Sequence, residues 1–332
     1  MKHKRMTIIV LVTLCMVIGW GMMTVGAAEK SFPKIIAVGS GPVGGGFNMI
    51  VVGISKYWEK DVGVTASVAP GVAKTNLHRF ADKRLDVMIS PSTWMYAAWH
   101  ARQDYGFEES IKDIRVMYYI YGNPYYVIAL EKSGLRKISD LKGKRVGIGP
   151  NADTWDKMMG KKLEANGIKY FGENPDIRKT FASYQDMCQM LGDGNLDAAV
   201  AMFEGLVPQP ATQKLMEERE LVALEWDPAV FEKFKTDIFP PALIKKELLP
   251  FLEKDHYCWE GGMAAMVARD DVSEELVYQL TKSTHRNLEQ LASENPFWKY
   301  PVKYPEMLTK DTGIPYHPGA IRYWKEIGIW QR

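Results

Sequence analysis

An ordered pattern of elements that occurs twice is the feature that most constrains how this chain can fold. An apolar run at 35–38 enters a glycine-rich loop at 39–46, and apolar residues at helical spacing follow the loop. A second apolar run at 145–148 enters another loop at 149–154, and an amphipathic helix is again predicted after it. A strand, a loop and a helix in this order are the opening unit of an α/β fold with parallel strands.

Each copy of the pattern closes with a strand that begins with Leu-Asp. Gly39 and Asp86 are 47 residues apart in the first copy, and Gly149 and Asp197 are 48 residues apart in the second. The copies are therefore offset by 110 to 111 residues. This spacing predicts two α/β lobes of like topology, each with a central sheet flanked by helices. Any α/β chain shows some likeness of this kind, so a chance resemblance stays open as the alternative.

Two further apolar segments are predicted to cross between the lobes. Tyr118–Tyr126 is rich in aromatic residues and is interrupted at 122–124, which predicts a strand, a break and a second strand. Met263–Ala268 precedes a helix that we expect over 273–291. Two lobes joined by two crossover strands, acting as a hinge, leave a cleft between them. Ligand groups gather there at the carboxyl ends of the parallel strands, in the loops at 39–46, 90–94, 149–155 and 203–206. Two of these loops lead into helix N-termini, which favour an anionic ligand group.

Residues 1–28 have the composition of a secretory signal peptide. A cationic start precedes an uncharged segment at 6–25, and we expect cleavage after Ala27 or Ala28. The mature protein would then be periplasmic. An uncleaved membrane anchor is the alternative, because about 20 apolar residues can cross a bilayer.

Charge and cysteine content narrow the function classes. The chain has 42 Lys and Arg against 40 Asp and Glu, and loss of the signal would leave 39 against 40, a net charge of −1. A neutral chain gives no reason to expect nucleic acid as a partner. Cys188 and Cys258 would reach an oxidising compartment, where a disulfide is possible. Cys188 lies on the apolar side of a helical pattern, so a buried thiol is equally open.

The sequence lacks the motifs that would indicate a cofactor, a metal or catalysis. The segment 39–44 matches G-x-G-x-x-G, but Ala69 and Pro70 end the next predicted strand where a dinucleotide site needs a carboxylate. No two histidines have metal-ligand spacing, and no G-x-S-x-G motif occurs. Asp153 and Asp156 near a helix start are more typical of caps than of catalytic acids. We therefore expect a non-enzyme with no cofactor, no metal and no catalytic residue.

Several segments together resemble the TAXI family, the solute-binding proteins of one class of TRAP transporters, within the type II periplasmic binding fold. The likeness extends from Lys34 to Gly328. It is carried by the loop 44–47, the strand end at 90–92, and the segments 138–146, 194–199, 277–282 and 317–324. The last of these, HPGAIRYW, is similar to the family's C-terminal signature and is the most specific part.

The resemblance implies a receptor that captures a small organic solute, carboxylate-like or amino-acid-like, and delivers it to the membrane subunits of a TRAP permease. It implies lobe I at 31–123 plus 266–332 and lobe II at 124–265, and we expect a monomer. Carried over by position, the ligand contacts would be Gly45, Gly46, Phe47, Asn76, Ser90, Ser92, Asp153, Thr154, Trp155, Phe203 and Glu204. A sensor with no attached transporter and an exported enzyme on the same fold are the alternatives.

This chain departs from the family pattern at the predicted ligand contacts. Ser90-Pro91-Ser92 stands where many members have Gln-Ser-Asp, and Asp153 stands in a loop that is often Gly-Ser-Gly-Thr. Asp153 and Glu204 would add negative charge to the cleft, and uncompensated negative charge opposes an anion. We therefore expect a solute that is bulkier or less anionic than glutamate, with an amine or an aromatic part.

Overall fold

The strands form one mixed sheet with a parallel group towards each end. The computed structural model describes residues 32–149, 154–235, 237 and 239–330, with the backbone alone at 154 and 155. The first strand group consists of β1 (Ile35–Ser40), β2 (Thr65–Pro70) and β3 (Val87–Pro91). The second strand group consists of β5 (Arg145–Gly149), β6 (Arg178–Phe181) and β7 (Ala198–Glu204). In each group the first strand lies in the middle, parallel to both neighbours. Within each group, the carboxyl ends of the three strands therefore lie on the same side of the sheet.

Two long strands join the groups. β4 (Ile114–Leu130) and β11 (His256–Arg269) pair antiparallel, giving the order β2-β1-β3-β11-β4-β7-β5-β6. Three short strands pair at the side of this path: β8 (Val207–Pro208), β9 (Leu221–Ala223) and β10 (Pro241–Ile244).

The predicted break in the first crossover strand is wrong, because β4 continues through 122–124. The irregularity lies instead in its pairing with β11, where the register shifts between Glu260 and Met263. Gly261 and Gly262 supply the extra residues of this bulge, and Gly262 has a φ of 107°, which favours glycine.

The described helices pack around this sheet. They are α1 (Gly46–Val62), α2 (Ala73–Ala81), α3 (Ser92–Trp99), α4 (Thr154–Ala165), α5 (Tyr184–Gly192), α6 (Pro210–Glu218), α7 (Pro228–Lys233), α8 (Glu274–Arg286), α9 (Leu288–Glu294), α10 (Lys299–Lys303) and α11 (Pro318–Glu326).

Helix α1 shows why the sequence forms these elements. Its buried residues recur at helical spacing from Ile50 to Trp58, and Gly63 ends the helix in the left-handed conformation with a φ of 74°. The Trp58 indole donates to the Thr284 hydroxyl of α8 at 2.9 Å. One helix from the start of the chain and one from near its end are thus held together.

The helix predicted over 273–291 is two helices. Ser273 caps α8, but Asn287 separates α8 from α9. The Asn287 side-chain amide donates to the Ser283 carbonyl at 2.8 Å, and such side-chain bonds compete with helix continuation.

The two Leu-Asp segments make the same contacts in both strand groups. The Asp86 carboxylate accepts the backbone N–H of Ala37 at 2.8 Å, and Asp197 accepts that of Arg145 at 2.8 Å. The backbone N–H of each aspartate in turn donates to the carbonyl of the same partner residue. This reciprocal pair fixes the start of the third strand against the first, which is a structural role for both aspartates.

The structure also corrects the alignment of the two copies. Gly39 pairs with Met88, and Gly147, not Gly149, occupies the equivalent place opposite Ala199. The offset between copies is thus 108 residues at the first strand, and it remains 111 at the third. At this offset the end of β1 at Ser40 corresponds to Ile148, so β5, which ends at Gly149, continues one residue further than β1.

The predicted fold class is confirmed as an α/β protein with two parallel strand groups joined by two crossover strands, the arrangement of a type II periplasmic binding fold. The predicted loop at 90–94 is wrong, because β3 continues to Pro91 and α3 begins directly at Ser92. From Lys34 onward the chain forms one compact unit, and the lobe limits stay a prediction. Ala264 and Ala265 of β11, predicted for lobe II, pair with β3 of the first strand group.

The predicted signal peptide at 1–28 lies outside the described residues. No helix in the described ranges has the length and hydropathy to cross a membrane.

Candidate functional site

The carboxyl ends of the two strand groups meet where Glu204 approaches Gly46. Glu204 is the last residue of β7, and Gly46 is the first residue of α1. A Cβ atom at Gly46 would lie 2.3 Å from Glu204 Oε2, so only glycine permits this approach. The backbone N–H of Gly205 donates to the Gly122 carbonyl at 3.1 Å and holds the turn after β7 against β4. We call the surroundings of this Gly46–Glu204 contact the candidate site.

Glu204 is a buried carboxylate with few donors. Its side chain belongs to a residue that is only 4% exposed, and Oε1 accepts the Gln209 amide at 3.3 Å. Oε2 has no hydrogen-bond partner among the described residues. Burial raises the Glu204 pKa to about 7, although the Gln209 side chain and the Gly46 amide favour the ionised form. The candidate site therefore holds an ionisable group that titrates near neutral pH.

Aromatic rings surround this carboxylate. The rings of Phe47 and Tyr121 lie 6.5 Å apart, and Tyr121 lies 6.0 Å from Phe297. A Cβ at Gly205 would touch Tyr121 at 3.1 Å and Tyr300 at 3.3 Å. Burial, with the charge of Glu204 second, raises the pKa of Tyr121 well above its usual range. Tyr121 therefore stays neutral beside Glu204.

A second carboxylate lies at the bulge between the crossover strands. Glu260 Oε1 accepts the backbone N–H groups of Asn123 and Gly262, both at 2.9 Å. Asn123 donates through its side-chain amide to the Gly262 carbonyl at 2.6 Å, whereas its Oδ1 has no partner among the described residues. Burial raises the Glu260 pKa, and the backbone amides oppose the rise. The bulge therefore positions both side chains beside the candidate site.

Three predicted contacts of the first strand group hold backbone in this structure. Asn76 is buried and donates to the Ser40 carbonyl at 2.7 Å. The Ser92 hydroxyl accepts the backbone N–H of Met263 at 2.9 Å and thereby ties α3 to β11. Ser90 is buried, and its hydroxyl donates to the Pro91 carbonyl at 3.4 Å. Their contact with a solute stays a prediction.

Gly45 and Phe203 also have structural contacts. Gly45 precedes α1 and donates to the Pro42 carbonyl at 3.0 Å, which closes the glycine-rich loop. Phe203 is fully buried and lies 5.9 Å from Tyr126, within the core of the second strand group. Asp153 lies outside the described residues, as do the side chains of Thr154 and Trp155, whose backbone begins α4.

The structure shows a second ionisable group that sequence reasoning missed. Lys162 of α4 is 1% exposed, and its Nζ donates to the Tyr125 hydroxyl at 3.0 Å and to the Phe239 carbonyl at 2.8 Å. The Nζ also lies 4.4 Å from the centre of the Trp259 ring. Burial lowers the Lys162 pKa to about 7. Lysines on amphipathic helices are mostly exposed, so periodicity alone gave no signal for it.

Two contacts near Lys162 connect the short 3-10 helix at Gln103–Tyr105 with Lys161 of α4 and with Phe239. Lys161 Nζ lies 3.4 Å from Asp104 Oδ2, and the rings of Tyr105 and Phe239 lie 5.6 Å apart. The sequence gave no indication of this contact either, since it joins residues far apart in the chain.

Other residues considered from sequence have structural contacts. His317 caps α11 by accepting the Gly319 N–H at 3.2 Å, and Asp156 accepts the Tyr170 hydroxyl at 2.7 Å. Cys188 and Cys258 are both free and buried, so they form no disulfide with each other. Within the described ranges, no three His, Cys, Asp or Glu residues come together so that they could hold a metal ion.

A family model described as the NMT1-like family matches residues 38–328. The chain belongs to this family. Solved structures similar to it include the substrate-binding protein of an amino acid ABC transporter, at 16% identity and a TM-score of 0.44, covering 81% of this chain and 98% of that one. An ancestral arginine-binding protein bound to arginine is similar at 14% identity and a TM-score of 0.46, covering 82% and 99%. PhnD1 from Prochlorococcus marinus, in complex with methylphosphonate, is similar at 14% identity and 0.48, covering 90% and 100%.

Proposed function

We propose that this NMT1-like protein is an extracytoplasmic solute-binding receptor that captures a small organic solute between its two lobes. The contact between Gly46 and Glu204 carries the proposal. It brings a helix N-terminus from the first strand group against a buried carboxylate from the second, at the carboxyl ends of both groups. Strand ends of this kind are where open α/β sheets bind ligands.

The described side chains of the candidate site suit binding better than turnover. Around the contact lie Glu204, Gln209, Asn123 and Tyr121, with aromatic rings and backbone amides. Carboxylates and amides with aromatic walls orient a ligand, whereas nucleophilic catalysis needs a nucleophile hydrogen-bonded to a base. We therefore expect the solute to leave chemically unchanged.

Delivery to a TRAP permease is the finer part of the proposal. The resemblance of the C-terminal segment to the TAXI signature supports it. That segment begins α11, where a Cβ at Gly319 would lie 2.1 Å from the Glu274 carbonyl oxygen of α8. The signature glycine thus permits close packing of two helices. In this proposal the protein is exported by its signal peptide, is periplasmic and acts as a monomer.

The decisive experiment is native mass spectrometry of the mature protein, purified without denaturation from cells that export it. We expect one retained small organic solute per chain, released unchanged on unfolding. The stripped protein should regain the solute, and small-angle scattering should show a smaller radius of gyration with it. A chain that retains and rebinds nothing would contradict the receptor, and conversion of the solute would show an enzyme.

Coupling to a permease is tested separately. Co-expression with the membrane subunits of a TRAP permease should give solute uptake that collapses with the ion gradient and persists when ATP is depleted. Uptake that follows ATP would contradict TRAP coupling and leave the receptor function standing.

A further inference from the structure

The candidate site contains more hydrogen-bond acceptors than donors. Glu204 is 4% exposed, and its Oε2 has no partner in the part of the chain that the structure describes. Asn123 is 1% exposed, and its Oδ1 is likewise without a donor there. The Gly205–Gly122 hydrogen bond at 3.1 Å places the two side chains on adjoining segments. Two buried acceptors of one site therefore lack the donors that buried polar atoms require.

The negative charge of Glu204 also lacks a counter-ion. The described ion pairs of the chain do not include Glu204, and its charge is offset only by neutral donors, the Gln209 side-chain amide and the Gly46 backbone amide at the start of α1. The second carboxylate of the region, Glu260, takes its hydrogen bonds from backbone amides. An ionised carboxylate that is buried without a cation costs several kcal/mol. A ligand that brings a cation would remove most of this cost.

The rings beside Glu204 suit a cation as well. Phe47 and Tyr121 lie 6.5 Å apart, and Tyr300 lies against the turn at Gly205. Aromatic faces attract ammonium and guanidinium groups through the negative potential of the ring. The same faces offer nothing to a second carboxylate.

We infer that the solute carries a basic nitrogen, an ammonium or amidinium group, and that this group binds the Glu204 carboxylate. The inference rests on the proposed function and names the chemical class of its ligand. Glu204 then determines specificity: it admits amines and opposes solutes with a carboxylate in the same place, because like charges repel in a poorly hydrated site. A hydrogen-bond acceptor elsewhere on the solute can bind backbone N–H groups at the N-terminus of α1.

A matched pair of probes tests the inference. 4-Aminobutyrate and glutarate share a carboxylate and a chain of three methylenes, and they differ in having an ammonium or a carboxylate at the other end. In calorimetry with stripped full-length mature protein at about pH 8, we expect 4-aminobutyrate to bind at least about tenfold more tightly than glutarate. Glu204→Gln should remove this preference, whereas Glu217→Gln on the exposed side of α6 should retain it.

The pH dependence gives an independent measurement. Burial raises the Glu204 pKa to about 7, so amine binding should tighten between about pH 6 and pH 8 as the carboxyl ionises. Glutarate binding should weaken over the same range. Tyr121 and Tyr184 also face Glu204, but their pKa values are raised and they stay neutral; Gln209 does not titrate. Glu204→Gln should flatten both profiles.

The retained solute decides the matter even if neither probe fits the site. A basic nitrogen in that solute would support the inference. A retained solute without one, or tighter binding of glutarate than of 4-aminobutyrate by the wild type, would overturn the inference and leave the receptor function intact. Absence of any retained solute together with no binding of either probe would overturn both.

Discussion

The two strand groups have the same arrangement of strands, but different residues lie at the carboxyl ends of those strands. Asp86 and Asp197 fix the third strand to the first through the same pair of backbone contacts. The carboxyl ends of the two third strands, β3 and β7, differ. β3 passes through the buried Ser90 and the partly buried Pro91 directly into α3, and both residues are neutral. β7 ends at the buried Glu204 and turns at Gly205.

The difference shows which positions maintain the fold and which are free to specialise. Contacts at the strand starts recur in both groups, so they serve the fold. The side of the second strand group also contains two buried groups whose pKa lies at about 7, Glu204 and Lys162. We therefore expect substitutions at the strand starts to act alike in both groups, and substitutions of these two ionisable groups to have no equivalent in the first.

The largest effect is expected for Glu204→Gln. The folded pKa of about 7 lies above the value of an exposed glutamate, so the stability that Glu204 contributes is fully present below about pH 4 and is lost as the pH rises through about 7. Removal of the charge should raise the free energy of unfolding by up to ~3 kcal/mol at about pH 8 and change it little at about pH 5. Urea denaturation at both pH values measures this. Equal stability of variant and wild type at pH 8 would show that Glu204 is not buried as an ion.

Asp86→Ala and Asp197→Ala should each lower the free energy of unfolding by about 1 kcal/mol, because each leaves a partly buried backbone N–H without its acceptor. Urea denaturation of the two variants at neutral pH tests the equivalence. The hydrogen bond and charge of Arg145 lower the Asp197 pKa, so its stabilising contribution should be lost as the pH falls through that lowered value. A loss in only one variant would break the comparison between the groups.

Lys162→Met should change stability with the opposite pH dependence from Glu204→Gln. The folded pKa of Lys162, about 7, lies below that of an exposed lysine, so the Lys162 contribution to stability becomes more favourable as the pH rises above about 7. The methionine variant keeps the apolar stem and should lack this gain. We expect it to exceed the wild type by about 1 kcal/mol at about pH 6. A variant whose stability rises with pH as steeply as the wild type would assign that rise to another group.

The smallest effect is expected for alanine at the equivalent glycines. A Cβ at Gly39 would lie 2.7 Å from Leu85 Cδ1, and one at Gly147 would lie 2.7 Å from Met187 Sδ. Both neighbours are the ends of flexible side chains, so Gly39→Ala and Gly147→Ala should each cost about 1 kcal/mol. Melting temperatures compare them directly. Gly149→Ala serves as the contrasting variant, because the sequence spacing matched Gly149, and not Gly147, with Gly39.

The sequence predicted the repeated strand order well, because buried parallel strands read as apolar runs and the Leu-Asp segments mark their starts. It mistook the pairing irregularity opposite Gly122 for the end of a strand, since a bulge depends on the partner strand as much as on the strand itself. It gave no indication that Ser92 accepts the Met263 amide, because this contact joins residues far apart in the chain. Lys162 escaped notice for the same reason: its burial follows from aromatic rings on other elements.

The two crossover strands have a consequence for how the chain acquires its structure. The second strand group joins the crossover strands through β7, which pairs with the earlier strand β4, so this group can assemble as soon as β7 has been made. The first group must wait, because β3 pairs with β11, and Trp324 of α11 donates to the Met117 carbonyl of β4 at 2.8 Å. A chain that emerges amino end first therefore completes its first half last. Until β11 has been made, the edge of β3 stays unpaired.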